Sequence, residues 1–128
     1  MDFCKRAFGA KELSRHTMPN IPKIMHAEIM IGKTKMMVAD EFPEHGSRGA
    51  ATIGGTPVVF NVNVDDADAA AQRAVQAGAQ ITMPVADQFW GARYGQFRDP
   101  FGNRWAVNQA TEQLNEEELA RRAAQAMR

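Results

Sequence analysis

Residues 57–78, PVVFNVNVDDADAAAQRAVQAG, set out the start of a folding unit. Val58, Phe60, Val62 and Val64 alternate with Val59, Asn61 and Asn63, the two-residue period of a strand with one apolar and one partly polar face. Asp65 and Asp68 resemble an N-capping arrangement, since acids suit the positive end of a helix. Ala67 to Ala77, rich in Ala and Gln, reads as that helix, and Gly78 as its stop. Three further strands are predicted. Ile81 to Val85 is interrupted by Pro84, which places it at an edge or a bend. Tyr94 to Arg98 and Arg104 to Asn108 flank Asp99-Pro-Phe-Gly102, a turn with proline at its second position and glycine at its fourth. In the last strand Trp105 and Val107 take one side, and Arg104, Ala106 and Asn108 the other.

The first half offers the same series without its opening strand. Phe3 to Phe8 reads as a helix ending at Gly9, and Lys11 to His16 as a strand. Met25 to Ile31 and Lys35 to Asp40 are two more, joined by Gly32-Lys-Thr34. Lys5-Arg6-Ala7 echoes Gln72-Arg73-Ala74, each followed by a glycine-bounded turn and a strand. Between the halves, residues 41–56 are dense in Gly, Pro, Ser and Thr and read as a linker. The glycines there are no phosphate loop, because no Gly-Lys-Ser/Thr follows. Beyond 108 a C-terminal helix is expected over 114–127. Asn115 would cap it, Glu118 would complete a capping box, and Leu119, Ala123 and Met127 would form a thin apolar stripe. The reading is therefore one α+β domain: module one over 1–40, linker 41–56, module two over 57–108 and the terminal helix.

Composition narrows the function. A chain of 128 residues and 14.1 kDa can bury a core without a metal or disulfide staple. Lys+Arg and Asp+Glu are each 15, so the net charge of zero excludes a generally basic surface for nucleic acid and gives no reason for membrane attachment. One cysteine, Cys4, forbids an intrachain disulfide or a thiolate cluster. No apolar run approaches the roughly 20 residues of a bilayer span, and the N-terminus lacks the apolar core of a signal peptide. The expected compartment is cytoplasmic.

Four stretches, Phe3-Cys-Lys-Arg-Ala-Phe-Gly9, Met25-His-Ala-Glu-Ile-Met-Ile-Gly32, Ala39-Asp-Glu-Phe-Pro43 and Asp99-Pro-Phe-Gly-Asn-Arg-Trp105, together resemble the vicinal oxygen chelate superfamily. Glyoxalase I, bleomycin-resistance proteins and extradiol dioxygenases belong to it, and the chain is most similar to the glyoxalase-like branch. The resemblance extends to about Asn108. It implies two βαβββ modules forming a cup-shaped mixed sheet, the first module here missing its opening strand, and it implies a homodimer. Metal enzymes of that superfamily hold a divalent ion with His or Gln and Glu on inward positions of four strands. The first of those positions has no counterpart, because the resemblance begins within the following helix. The others fall on Met36 to Val38, near Val59, and on Ala106, none a usable donor. No metal and no other cofactor is expected.

Membership of a fold does not name a reaction. The preferred expectation is a small-molecule-binding protein of the glyoxalase and bleomycin-resistance type, without the standard metal site. The alternatives are a divalent-metal-dependent lyase, isomerase or dioxygenase, and a non-catalytic structural or truncated protein; no catalytic residue is assigned. Candidate ligand contacts are His26 and Glu28, two apart on one strand face, and Asn61 and Asn63, buried amides in need of partners. Trp90, Arg93 and Tyr94 concentrate aromatics beside a cation, and Arg104 completes the set. The expected partners are a small molecule and a second copy of the chain.

Overall fold

The computed structural model describes residues 1–126. In chain order they form α1 (Asp2–Phe8), β1 (Lys11–Thr17), β2 (Ile24–Ile31), β3 (Thr34–Val38), a 3-10 turn (Pro43–His45) and α2 (Ala50–Ile53). There follow β4 (Val59–Asn63), α3 (Ala67–Gln76), β5 (Gln80–Gln88), β6 (Ala92–Arg98), β7 (Arg104–Ala110) and α4 (Glu116–Ala126). The class is α+β, as the patterning predicts. The strands make a three-stranded sheet, β1-β2-β3, and a four-stranded sheet, β4-β7-β6-β5. β4 runs parallel to β7 while the other neighbours are antiparallel, so the larger sheet is mixed.

Both sheets turn apolar residues toward one core that also holds α1 and α3. β2 contributes Ala27, Ile29 and Ile31, and the larger sheet contributes Phe97, Trp105 and Val107. α3 approaches with Ala67, Ala70, Ala71 and Ala74, small side chains that let α1 and the strands come close. Phe3 and Phe8 reach across from α1, Phe8 lying 5.0 Å from Trp105 between ring centroids. Strand alternation then sends the intervening residues of each sheet outward.

The 99–102 turn shows how locally this architecture is written. Asp99 is 7% exposed, and its Oδ1 accepts the Phe101 and Asn103 N–H groups, both at 2.9 Å. Its Oδ2 accepts the Trp105 indole N–H at 2.9 Å, tying the turn to the core strand that follows. Gly102 sits at φ 86, open to glycine at little cost.

Several local expectations need correction. The cap of α3 is Asp66, whose Oδ1 accepts the Ala69 N–H at 3.0 Å; the helix starts at Ala67, so Asp65 is one residue too early. β5 runs on to Gln88 as an edge strand, with register shifts at Ile81/Met83 and Met83/Ala86 that accommodate Pro84. The 41–56 stretch contains the 3-10 turn and α2. Glu41 organises it, accepting the Gly49 N–H at 2.9 Å and the Thr52 hydroxyl at 2.8 Å, and these bonds hold its carboxyl below the usual range. In α4, Asn115 does cap the Glu118 N–H at 2.8 Å, but the Glu118 carboxylate turns to Arg121 and Arg122 instead of closing a box. Met127 lies outside the described residues. No described helix is long and apolar enough to cross a membrane.

Candidate functional site

Register defines the outer face of the four-stranded sheet. Because Phe97, Trp105 and Val107 point to the core, their neighbours point away, and directly paired residues share that side. Three rows result. Gln80, Arg98, Arg104 and Val59 form the first; Met83, Gln96, Ala106 and Asn61 the second; Ala86, Tyr94, Asn108 and Asn63 the third.

Side chains on this face are linked. The Gln96 amide donates to Tyr94 Oη at 2.9 Å, and Arg104 donates to Gln96 Oε1 at 3.3 Å. Trp90, in the turn between β5 and β6, folds over the third row. Its indole N–H donates to Asn108 Oδ1 at 3.1 Å, and its ring meets Tyr94 edge-on at 5.2 Å. Ala106, fully covered, leaves the centre of the face shallow between longer neighbours. The result is a platform half-buried along β6 and β7 and exposed at its edges, with aromatic rings at one end and guanidinium groups at the other; Asn61 and Asn63, expected as buried amides, are exposed, because β4 is an edge strand.

Five of the eight sequence candidates, Asn61, Asn63, Trp90, Tyr94 and Arg104, therefore meet on one face. Arg93 does not join them. It shares the core side of β6 with Phe97, and donates to Asp68 at 2.9 and 3.1 Å and to Asp87 at 3.1 Å. These bonds hold the Asp68 carboxyl below its ordinary range and fasten the start of α3 to the sheet. His26 and Glu28 lie on the outer face of the other sheet, 3.8 Å apart, with His26 directly opposite His16 and Glu28 beside Lys35 at 3.7 Å. Gln96 and Arg98 were missed as candidates, although alternation around Phe97 and Trp105 places them on the platform.

Open space lies mainly on the other side of the larger sheet, where β4 and β3 face the core. A cleft of about 540 Å³ is lined by Phe3, Cys4, Met36, Val38, Phe60 and Trp105, and a second of about 900 Å³ by Phe8, Ile31, Val62 and the edge residues Asn61 and Asn63. Both clefts are bordered by β3 and β4, each of which pairs on one side only. Cys4 is half-buried there, and loss of hydration pushes its thiol pKa up, which disfavours the nucleophilic thiolate.

The residues do not fit a divalent metal of the kind the fold accommodates elsewhere. Val59 and Ala106 occupy the outer face with no donor atom, and Met36 to Val38 offer none of oxygen or imidazole type. Among the described residues no group of three or more His, Cys, Asp or Glu is placed to hold an ion.

With this geometry the chain belongs to the Glyoxalase/Bleomycin resistance protein/Dioxygenase superfamily, whose family model matches residues 1–107. An uncharacterised protein of Mycobacterium bovis is 38% identical over 122 residues, covering 93% of this chain and 80% of that protein. The crystal structure of TioX from Micromonospora sp. ML1 is similar at 30% identity with a TM-score of 0.62, over 89% of this chain and 87% of that one. TnmS3, an antibiotic binding protein from Streptomyces sp. CB03234, shares the fold with a TM-score of 0.59 at 21% identity, over 85% of this chain and 82% of that one.

Proposed function

We propose that this protein captures a small, flat, partly apolar molecule on the outer face of its four-stranded sheet, without a divalent ion, and that it works as a homodimer. One observation carries the reading: Trp90 bonded to Asn108, and Gln96 bonded to Tyr94 and Arg104, lie on a single sheet face, with Asn61 beside them by register. Rings with a polar edge bury a flat ligand at low entropy cost, and amides fix its orientation. The mechanism is sequestration, consistent with the fold's use in an antibiotic binding protein. The test is a titration with the neutral fluorescent dye N-phenyl-1-naphthylamine. Trp90→Ala should weaken binding about thirtyfold, the usual loss of about 2 kcal/mol for a central aromatic. Unchanged affinity would reject the site.

The unfinished edges support the homodimer reading. In the larger sheet β4 covers β7, whereas β3, the corresponding strand of the smaller sheet, has no strand beyond it among the described residues. Met37 on that edge is 71% exposed, and Phe60 and Val58 on and beside β4 are exposed as well. Unpaired strand edges lined with apolar side chains are acceptor surfaces for another chain, and a symmetric contact covers two at once.

A further inference from the structure

We infer that the ligand of the platform is an anion: an aromatic carboxylate, sulfonate or phosphate whose charge sits between Arg98 and Arg104. The inference rests on the binding reading above and adds the chemical class. Arg98 and Arg104 are direct cross-strand partners, so two cations stand side by side on the outer face. Like charges placed opposite each other on a sheet repel, and a nearby acid would relieve the pair. Here none is supplied. Among the described residues neither guanidinium has a carboxylate oxygen within ion-pairing distance; their acceptors are the neutral Gln80 Oε1 at 3.4 Å and Gln96 Oε1 at 3.3 Å.

The rest of the face reinforces this. Its three rows hold glutamines, asparagines, a tyrosine, alanines, a methionine and a valine, with no aspartate or glutamate. The neighbouring acids are committed elsewhere. Asp87 and Asp68 bind Arg93 on the other side of the sheet, and Asp99 is consumed by its turn and by Trp105. Two guanidinium groups without a counter-charge favour an incoming anion, and their planar forks match planar oxyanions in both charge and shape. From the Arg104 row to the Asn108 row the strand rises about 13 Å, at roughly 3.3 Å per residue. That span suits a two- or three-ring molecule with its anion at the arginines and its rings beneath Trp90 and Tyr94.

The experiment uses two dyes of one skeleton, 1-anilinonaphthalene-8-sulfonate and N-phenyl-1-naphthylamine, which differ by the sulfonate alone. Arg104→Gln should weaken the sulfonate dye about tenfold and leave the neutral dye within twofold. Arg98→Gln, more exposed, should give a smaller loss of the same selectivity, and Arg121→Gln on α4 should change neither dye. Without dye, Arg104→Gln should keep or raise the melting temperature, because it relieves a like-charge pair; a merely structural arginine would lower it. Equal losses for both dyes, or an unchanged affinity for the sulfonate, would overturn the anion assignment. In that event a loss of neutral-dye binding in Trp90→Ala would leave the platform standing as a binding site. If the wild-type protein binds neither dye, the platform reading falls and the anion assignment falls with it.

Discussion

Replacing Asp99 by alanine should be among the most damaging single changes away from the apolar core. Its carboxylate makes four contacts: the Phe101 and Asn103 backbone N–H groups, the Asn103 side-chain amide at 3.2 Å, and the Trp105 indole N–H. Alanine removes them all. The turn amides sit near the surface and regain water, so their loss is discounted to a fraction of the usual value for bonds to a charged acceptor. The indole cannot recover in this way, because Trp105 is 3% exposed and held by Phe3, Phe8 and Phe60. A buried donor left without an acceptor costs about 1–3 kcal/mol by itself. With the turn contribution the expected loss is about 3 kcal/mol, or roughly 12 °C of melting temperature for a chain of this size.

Urea unfolding followed by circular dichroism measures this directly, with the slope expected to stay constant. Asp99→Asn keeps a turn acceptor but cannot serve both sets of donors as well, so it should lose about 1 kcal/mol. In an Asp99→Ala background, Trp105→Phe should do less harm than in the wild type, because the orphaned donor is then gone. A double-mutant cycle should return a coupling of about 1–2 kcal/mol. If Asp99→Ala stays within about 0.5 kcal/mol of wild type, or the two changes add independently, the indole–carboxylate bond is not what secures the turn.

Four further outcomes are expected. Gly95→Ala should destabilise by about 1–3 kcal/mol, because its new methyl would lie 2.7 Å from Val85 Cγ2, and Val85→Ala should recover part of that loss in the same urea assay. Arg93→Gln should speed hydrogen exchange at the start of α3 while leaving dye affinity unchanged, since its partners are Asp68 and Asp87; a weakened dye titration would return it to the binding site. Glu118 is held down to about 2 by hydrogen bonds from Arg121 and Arg122, against an ordinary value of 4.5. The native carboxylate is thus the favoured form, so the ordering it gives α4 is present above about 4.5 and lost as pH falls toward about 2; exchange rates of α4 amides that ignore pH in that window, after correction for intrinsic chemistry, would contradict it. In sedimentation at low micromolar concentration the protein should run as a dimer, and Met37→Lys should split it, whereas a well-folded 14.1 kDa species would end the homodimer reading.

Much of the fold was legible because it is written in short-range terms. Alternation of Val58 to Val64, the alanine-rich stretch before Gly78 and the Asp-Pro-Phe-Gly turn each need only neighbours to be read, and each forms. The N-cap of α3 was misplaced by one residue because Asp65, Asp66 and Asp68 are chemically equivalent, and only the backbone decides which one precedes the first helical residue. Structure in residues 41–56 is not legible because one acid, Glu41, accepts from donors eight and eleven positions on, and no periodic pattern records that.

The site divides along the same line. Which residues of one strand share a face follows from parity, so Asn61 with Asn63 and Arg104 with Asn108 are legible in the sequence, while the register that brings those strands and Tyr94 onto one face is not. What each side chain is bonded to does not follow from parity. Arg93 and Arg104 are both arginines on adjacent strands, equally suited to an anion on paper. In the folded chain Arg93 stands on the core side, where the start of α3 presents Asp68, and its charge is paired there with Asp68 and Asp87. Arg104 stands on the opposite side beside Arg98, and among the described residues its side chain meets one amide oxygen, that of Gln96. The difference between a fastening and a binding group is thus one step of strand alternation plus the position of one helix. It is the second of these, a contact between residues 25 positions apart, that only the three-dimensional packing supplies.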